Sequence, residues 1–171
     1  MNVKYMKLEE IAKVSAGGTP KRSETSYWKN GNIPWVKISD IKSKYVNLTE
    51  EFITEKGLNN SSAKLFPKGT ILYTIFATLG ECAILEIDAA TNQAIAGINI
   101  TTEKVLNDYL YYYLKSIKKK IINKGRGVAQ NNINLKILKN IIVPVPDIET
   151  QKKIIKVLDI TENVILKRQQ H

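Results

Sequence analysis

Apolar residues recur with two different periods along this chain, and the change falls near residue 107. Before it, the pattern is that of strands. Ile33-Pro34-Trp35-Val36-Lys37-Ile38-Ser39-Asp40-Ile41 alternates from Val36 onward and predicts a half-buried strand. Pro67-Lys68-Gly69-Thr70 reads as a turn that launches Ile71 to Phe76, a nearly continuous apolar run and so a buried strand. Gly80-Glu81 breaks that run and Cys82 to Ile87 resumes it, as a hairpin would. Ala94 to Thr101 predicts a further strand through Ile95, Ile98 and Ile100. Upstream, Leu8 to Ser15 is a short helix or strand entry, stopped by the breaker cluster Gly17-Gly18-Thr19-Pro20. Lys21 to Asn32 is polar and reads as an exposed loop carrying Tyr27 and Trp28.

After residue 107 the period is helical. Asn107 or Asp108 can cap a helix whose stripe is Leu110, Leu114, Ile117 and Ile121. Lys118, Lys119 and Lys120 fall in its last turn, where cations suit the helix dipole, and Gly125 is a plausible stop. Val128 to Leu135 is polar and amide-rich; Leu138 to Val143 predicts a short strand closed by Pro144 and Pro146. Asp147 then caps a final amphipathic helix with Ile154, Ile155, Leu158, Val164 and Ile165 on its apolar side. Twenty such residues would reach about 30 Å. No later element covers that side, so the helix either folds back on its own domain or packs on a helix of another chain. The pattern predicts an α+β chain: a largely β domain with a few helices, followed by a long C-terminal helix.

Composition narrows the function. At 171 residues, with 43% hydrophobic and 25% charged positions, the chain is one globular domain or a domain with an appendage. Its formal net charge of +10 favours an acidic partner such as nucleic acid or an anionic membrane surface. Eight of those positive charges lie between Tyr109 and Pro146, a stretch without a carboxylate. The single Cys, Cys82, cannot form an internal disulfide, which fits a reducing compartment. The single His is His171, so neither a structural zinc site nor a triad using an internal His can be assembled. The two glycine-rich phosphate-binding patterns, G-x-x-x-x-G-K-[ST] and G-x-G-x-x-G, do not occur. The N-terminus lacks a continuous apolar core, and no window approaches the roughly 20 apolar residues of a membrane span. The expectation is a soluble cytoplasmic protein with no cofactor, no metal and no conventional catalytic apparatus.

Two segments carry recognition chemistry. Gly125-Arg126-Gly127-Val128-Ala129-Gln130-Asn131-Asn132-Ile133-Asn134 places an Arg, a Gln and three Asn directly after the lysine cluster. Arg can pair bidentately with guanine, and Gln or Asn with adenine, while neighbouring lysines neutralise phosphates. An amide-rich turn satisfying its own backbone is the competing account. The segment from Gly17 to Trp28 offers Lys21 and Arg22, and its glycines would allow close backbone approach to a ligand. An ordinary surface loop is the alternative. Trp28 and Trp35 could stack on bases, but tryptophans beside a strand are more often core residues. Glu9-Glu10 and Glu50-Glu51 read as solvated surface charge, and Cys82 as a small core residue.

The ordered strings resemble one half of the specificity subunit of type I restriction-modification systems. They are Leu8-Glu9-Glu10-Ile11 before Gly17-Gly18-Thr19-Pro20, Tyr27-Trp28, Ile33-Pro34-Trp35-Val36, Pro67-Lys68-Gly69-Thr70-Ile71-Leu72 and Thr78-Leu79-Gly80. Asn92-Gln93, Pro144-Val145-Pro146 and Gln151-Lys152-Lys153-Ile154 complete the series. The resemblance implies a target recognition domain over residues 1–146. It also implies a conserved dimerisation or spacer helix over residues 147–171, cut short or complete. Such a chain would read one half of a bipartite duplex DNA target and make no covalent change itself. Adenine methyltransferase subunits and a restriction subunit would supply the chemistry. Homodimerisation through the C-terminal helix, with Ile154, Ile155, Leu158 and Ile165 at the contact, would replace the second half. Residue chemistry and loop placement nominate Lys118, Lys119, Lys120 and Lys124 for phosphates. They nominate Arg126, Gln130, Asn131 and Asn132 for base edges, with Lys21, Arg22 and Lys37 as weaker contacts. The other function classes weighed are an interaction protein that competes for methyltransferase or specificity subunits without reading DNA, and an RNA-binding domain.

Overall fold

The computed structural model describes residues 3–125 and 132–169, the side chains of residues 124 and 125 excepted. In chain order the elements are β1 (Lys4–Lys7), α1 (Leu8–Ile11), β2 (Ala12–Ala16), β3 (Ile33–Val36), β4 (Tyr45–Val46), β5 (Glu51–Ile53) and α2 (Glu55–Asn59). Then come β6 (Leu65–Phe66), β7 (Ile71–Thr74), β8 (Cys82–Leu85), β9 (Ala89–Thr91), β10 (Ile95–Ile100), α3 (Asn107–Ser116) and α4 (Lys118–Gly125). The chain closes with α5 (Leu135–Lys139), β11 (Ile142–Val145) and α6 (Ile148–Gln169).

The strands form a five-stranded sheet in the order β2-β10-β7-β8-β4, a four-stranded sheet β5-β3-β9-β6 and a two-stranded ribbon β1-β11. This is the α+β architecture expected from the pattern. The apolar run of β7 is continuous because both faces of its sheet are covered. Ile71 and Tyr73 face the main core with the helices, while Leu72 faces a second core shared with Val36 and Phe66. In β8, Cys82 and Ile84 point into the first core and Ala83 and Leu85 into the second. The register Tyr73↔Cys82 confirms the expected hairpin.

Four local expectations need correction. The strand ends at Val36, not Ile41, because the Asp40 carboxylate accepts the Lys37 backbone N–H at 2.8 Å and closes Ile38–Asp40 into a 3-10 turn. The helix from residue 107 to 125 is broken at Ile117, where Ser116 Oγ donates to the Tyr113 carbonyl at 2.7 Å. Lys118, Lys119 and Lys120 therefore open α4 rather than close α3, at the end of the dipole that disfavours cations. Finally, Leu138 belongs to α5, whose Asn134 cap accepts the Ile137 N–H at 2.9 Å, and the strand begins only at Ile142. Pro144 sits inside that strand, which pairs with β1 alone and so tolerates a missing donor. Helix α3 is capped neither by Asn107 nor by Asp108: its N-cap is Leu106, and Asn107 instead donates to the Gly69 carbonyl at 2.7 Å.

Asp147 does cap α6, accepting the Thr150 N–H at 2.9 Å. Ile154, Ile155 and Leu158 pack partly buried against the main core of the same chain. A second stripe, Val157, Ile160 and Val164, is exposed by 63%, 57% and 44%. Ile165 is half exposed and lines a groove of about 720 Å³ between α3, α6 and residues 41–45. The helix thus folds back on one face and leaves another open.

Candidate nucleic-acid interface

The antiparallel order of β2, β10, β7 and β8 brings four chain ends to one edge of the sheet. Ala16 lies opposite Ala96, Ile95 opposite Thr74, and Tyr73 opposite Cys82. The loop after β2, the turn before β10 and the connection from β7 to β8 therefore leave the sheet together. The Ile75 N–H donates to the Ala94 carbonyl at 2.8 Å, and the Ile133 N–H donates to the Ile75 carbonyl at 2.9 Å. The second bond moors the C-terminal end of the amide-rich segment to this same edge. Its other end leaves α4, whose Lys118 pairs with Glu81 at the start of β8.

The predicted site residues divide on this frame. Lys119 and Lys120 are exposed on α4 and have no carboxylate partner among the described residues. Lys118 is half-buried and paired, so its charge is partly offset. Asn132 is half-buried beside the Ile133 anchor. The Lys124 side chain, Arg126, Gln130 and Asn131 lie outside the described residues.

Arg22 and Lys37 form a separate cluster some way along. Arg22 lies 3.8 Å above the Trp28 ring and 4.9 Å from that of Trp35, and pairs with Glu51. Lys37 Nζ is 3.0 Å from Glu50 and 3.1 Å from Glu51. The hydrogen bond from Arg22 holds the Glu51 carboxyl down at about 2, burial opposes it and Lys37 assists. Both cations already have close anionic partners, whereas Lys21 beside them is exposed and interacts with Glu24 only as a minor electrostatic contribution. Sequence reading treated Glu50 and Glu51 as solvated charge and missed this network; the pairing spans β3 and β5, so no local spacing announces it.

The glycines of the adjoining loop serve the fold rather than a ligand. A Cβ on Gly17 would overlap Thr91 and Asn92, and one on Gly18 would overlap Ser62 and Ala63. Trp35 is 2% exposed and donates its indole N–H to the Gly18 carbonyl at 3.0 Å, while Trp28 meets it edge-on at 5.1 Å. These rings are built into the structure. Thr19 Oγ1 donates to Gln93 Oε1, which joins this loop to the exposed turn before β10.

A second charged cluster fixes α6. Lys44 Nζ lies 2.6 Å from Asp108 and 2.7 Å from Asp159, and Lys115 Nζ lies 2.5 Å from Glu162. Burial opposes the Lys44 charge, but the hydrogen bonds to Asp108 and Asp159 outweigh it and raise the pKa. Cys82, in the groove wall, has its thiol pushed up to about 12 by burial and is a core residue, not a nucleophile. Among the described residues no group of His, Cys, Asp and Glu could hold a metal ion. No helix among them is long and apolar enough to cross a membrane.

Comparison with known proteins agrees with this architecture. The chain is 31% identical over 163 residues to the specificity subunit of the Escherichia coli type I restriction enzyme EcoR124I/EcoR124II, covering 92% of this chain and 40% of that protein. It is 34% identical over 164 residues to the specificity subunit of the Methanocaldococcus jannaschii type I restriction enzyme MjaIX, covering 93% of this chain and 38% of that one. The fold is similar to that of the HsdS subunit from Thermoanaerobacter tengcongensis, with a TM-score of 0.74 at 21% identity, over 99% of this chain and 40% of the other. The chain thus spans about 40% of the length of the relatives it matches. The model of the type I restriction modification DNA specificity domain matches residues 1–171 throughout, and the chain belongs to that family.

Proposed function

We propose that this chain is a sequence-specific DNA-binding module of a type I restriction-modification complex. It reads one half of a bipartite target and directs adenine methyltransferase and restriction subunits to it. Residues 1–146 act as the target recognition domain and residues 147–171 as the spacer and dimerisation helix. The module is non-catalytic: it lends specificity to chemistry performed by its partners.

The observation that carries this reading is the shared sheet edge. It brings the moored end of the amide-rich segment, the exposed lysines of α4 and the turn between β7 and β8 to one side of the domain. Lysines there suit phosphates, and the amides and Arg126 suit base edges. Family membership over the whole chain supports the same conclusion.

The test is methylation mapping. The chain is co-expressed with the adenine methyltransferase subunit expected beside it, and methylated adenines are located across the host genome. An interrupted palindrome is expected for two copies related by a two-fold axis. An asymmetric split motif would assign the second half-site to another chain. No new methylation, despite a demonstrated complex, would move the function to a protein that competes for these subunits through α6. The exposed stripe of Val157, Ile160 and Val164 is the feature that favours this second reading.

A further inference from the structure

The connection between β7 and β8 is shaped in a way that the fold alone does not require. Seven residues, 75–81, link two strands in register. Thr74 fastens the connection from within. Its backbone carbonyl accepts the Gly80 N–H at 2.9 Å, its Oγ1 accepts the Glu81 N–H at 2.8 Å, and the same hydroxyl donates to the Thr78 carbonyl. Ala77 is held at φ 57°, a left-handed conformation that a residue with a Cβ adopts at a cost of about 1 kcal/mol or more. Leu79 turns inward against the main core. Phe76 turns outward, 41% exposed, and belongs to none of the buried clusters. Among the described residues its ring has no aromatic or cationic partner. A pinned, strained backbone therefore leaves an apolar side chain partly exposed.

Its surroundings say what the ring can meet. Lys118 packs beside Gly80 and pairs with Glu81 at the base of the turn, so α4 runs directly from it with Lys119 and Lys120 exposed. On the other side, the Ile75 carbonyl receives Ile133 at the end of the amide-rich segment. β7 and β8 are inner strands of the five-stranded sheet, and the connection between them leaves its end as a single loop, which is narrow enough to enter a major groove about 12 Å wide. An apolar ring there can contact the 5-methyl group of thymine, the one apolar feature that a base pair shows in that groove.

We propose that Phe76 is a specificity residue: the loop between β7 and β8 enters the major groove and the ring packs on a thymine methyl group. This deepens the reading of the chain as a DNA specificity module and rests on it. Lys119 and Lys120 of α4 neutralise phosphates beside the inserted loop.

The test begins with selection from a pool of random duplexes by the full chain and by Phe76→Ala. The duplex enriched by the wild type is then remade with deoxyuridine replacing each thymine in turn, which removes only the methyl group. The wild type is expected to bind one such duplex roughly tenfold more weakly, in the range of a single mismatch. Phe76→Ala should bind the unmodified duplex weakly to the same degree and be indifferent to that replacement, and Phe76→Leu should keep part of the effect. A Phe76→Ala chain with the wild-type motif and affinity overturns the proposal alone. So does a loss that simply adds to the deoxyuridine effect. A wild-type chain that enriches no motif overturns the DNA-reading function and this proposal with it. Should Phe76→Ala fail to fold, the deoxyuridine series on the wild type and Phe76→Leu still decides: no sensitive thymine, or equal sensitivity in both, rejects the contact.

Discussion

The side chain of Gln151, a residue buried completely from solvent, accepts the backbone N–H of Leu106 at 2.9 Å. Its amide nitrogen donates to the carbonyls of Lys104, at 2.7 Å, and Pro146, at 2.9 Å. One amide thus ties the start of α6 to the loop before α3 and to the end of β11. Replacing Gln151 by Leu would remove the partner of three backbone groups, the Pro146 carbonyl buried and the other two in partly buried contacts. The expected loss is about 1–3 kcal/mol, the cost of about one unsatisfied buried group. Urea unfolding of Gln151→Leu measures it; a loss below about 0.5 kcal/mol would mean that the amide does not anchor the helix.

Lys44 makes the next attachment along α6. Its side chain is 12% exposed and its ammonium lies between Asp108 and Asp159, with the Tyr112 hydroxyl donating to Asp159 at 2.5 Å. Lys44→Met removes the cation from two carboxylates that remain partly solvated. The expected cost is about 1–2 kcal/mol, between the values for exposed and buried pairs. Amide exchange should quicken in the second half of α6 more than in α3. Uniform acceleration across the domain would contradict a local fastening.

Glu51 gives a pH-dependent prediction. Its ordinary pKa of 4.5 is depressed to about 2 in the folded chain, chiefly by Arg22. A depressed carboxylate contributes stability that is fully present above its unfolded pKa and is lost as pH falls through the folded one. The wild type should therefore exceed Glu51→Gln in thermal stability by a constant margin above pH of about 5, and that margin should shrink steadily toward pH of about 2. A margin unchanged over this range would show that the carboxylate charge is not what Arg22 and Lys37 hold.

How far these features were legible in the residues depends on their range. The β7–β8 hairpin was readable because its signal is local: a turn, an apolar run, a Gly-Glu break and a second run. The cap at Asp147 was readable for the same reason. The split of α3 from α4 was not, since Leu110, Leu114, Ile117 and Ile121 keep a continuous stripe across it. At the break the Ser116 hydroxyl turns back on the Tyr113 carbonyl, a local contact that the apolar stripe does not announce. Lys37 and Arg22 looked like free cations because Glu51 reaches them only through the pairing of β3 with β5. The shared sheet edge is likewise a product of strand order, which no periodicity encodes.

Binding should separate the two kinds of contact. Changing both Lys119 and Lys120 to Ala should weaken binding to all duplexes alike and lower the slope of log affinity against log salt by about two, one per phosphate contact. Arg126→Ala should instead cost about 1–3 kcal/mol on the selected sequence and relax one position of it. Titration of selected and scrambled duplexes at several salt concentrations distinguishes these. Uniform weakening by Arg126→Ala would leave it a phosphate role only, and an unchanged slope in the lysine double variant would remove α4 from the interface.

The open stripe of α6 yields the last prediction. Val157, Ile160 and Val164 recur at helical spacing on the face away from α3, and Thr161 between them donates its hydroxyl to the Val157 carbonyl at 2.9 Å. Burying that stripe against the same stripe of a second copy removes apolar surface from water without disturbing the contacts of Gln151, Lys44 or Lys115. The inner residues Ile154, Ile155 and Leu158 cannot serve both purposes, because they already pack on the domain. The pair Val157→Asp and Val164→Asp should therefore abolish self-association seen by sedimentation and leave the folding free energy within about 0.5 kcal/mol of the wild type, as exposed substitutions do. Leu158→Asp should do the reverse and unfold the helix from the domain first. If the outer pair leaves association intact, the dimer forms elsewhere, and the two-fold arrangement that makes an interrupted palindrome the expected target loses its structural basis.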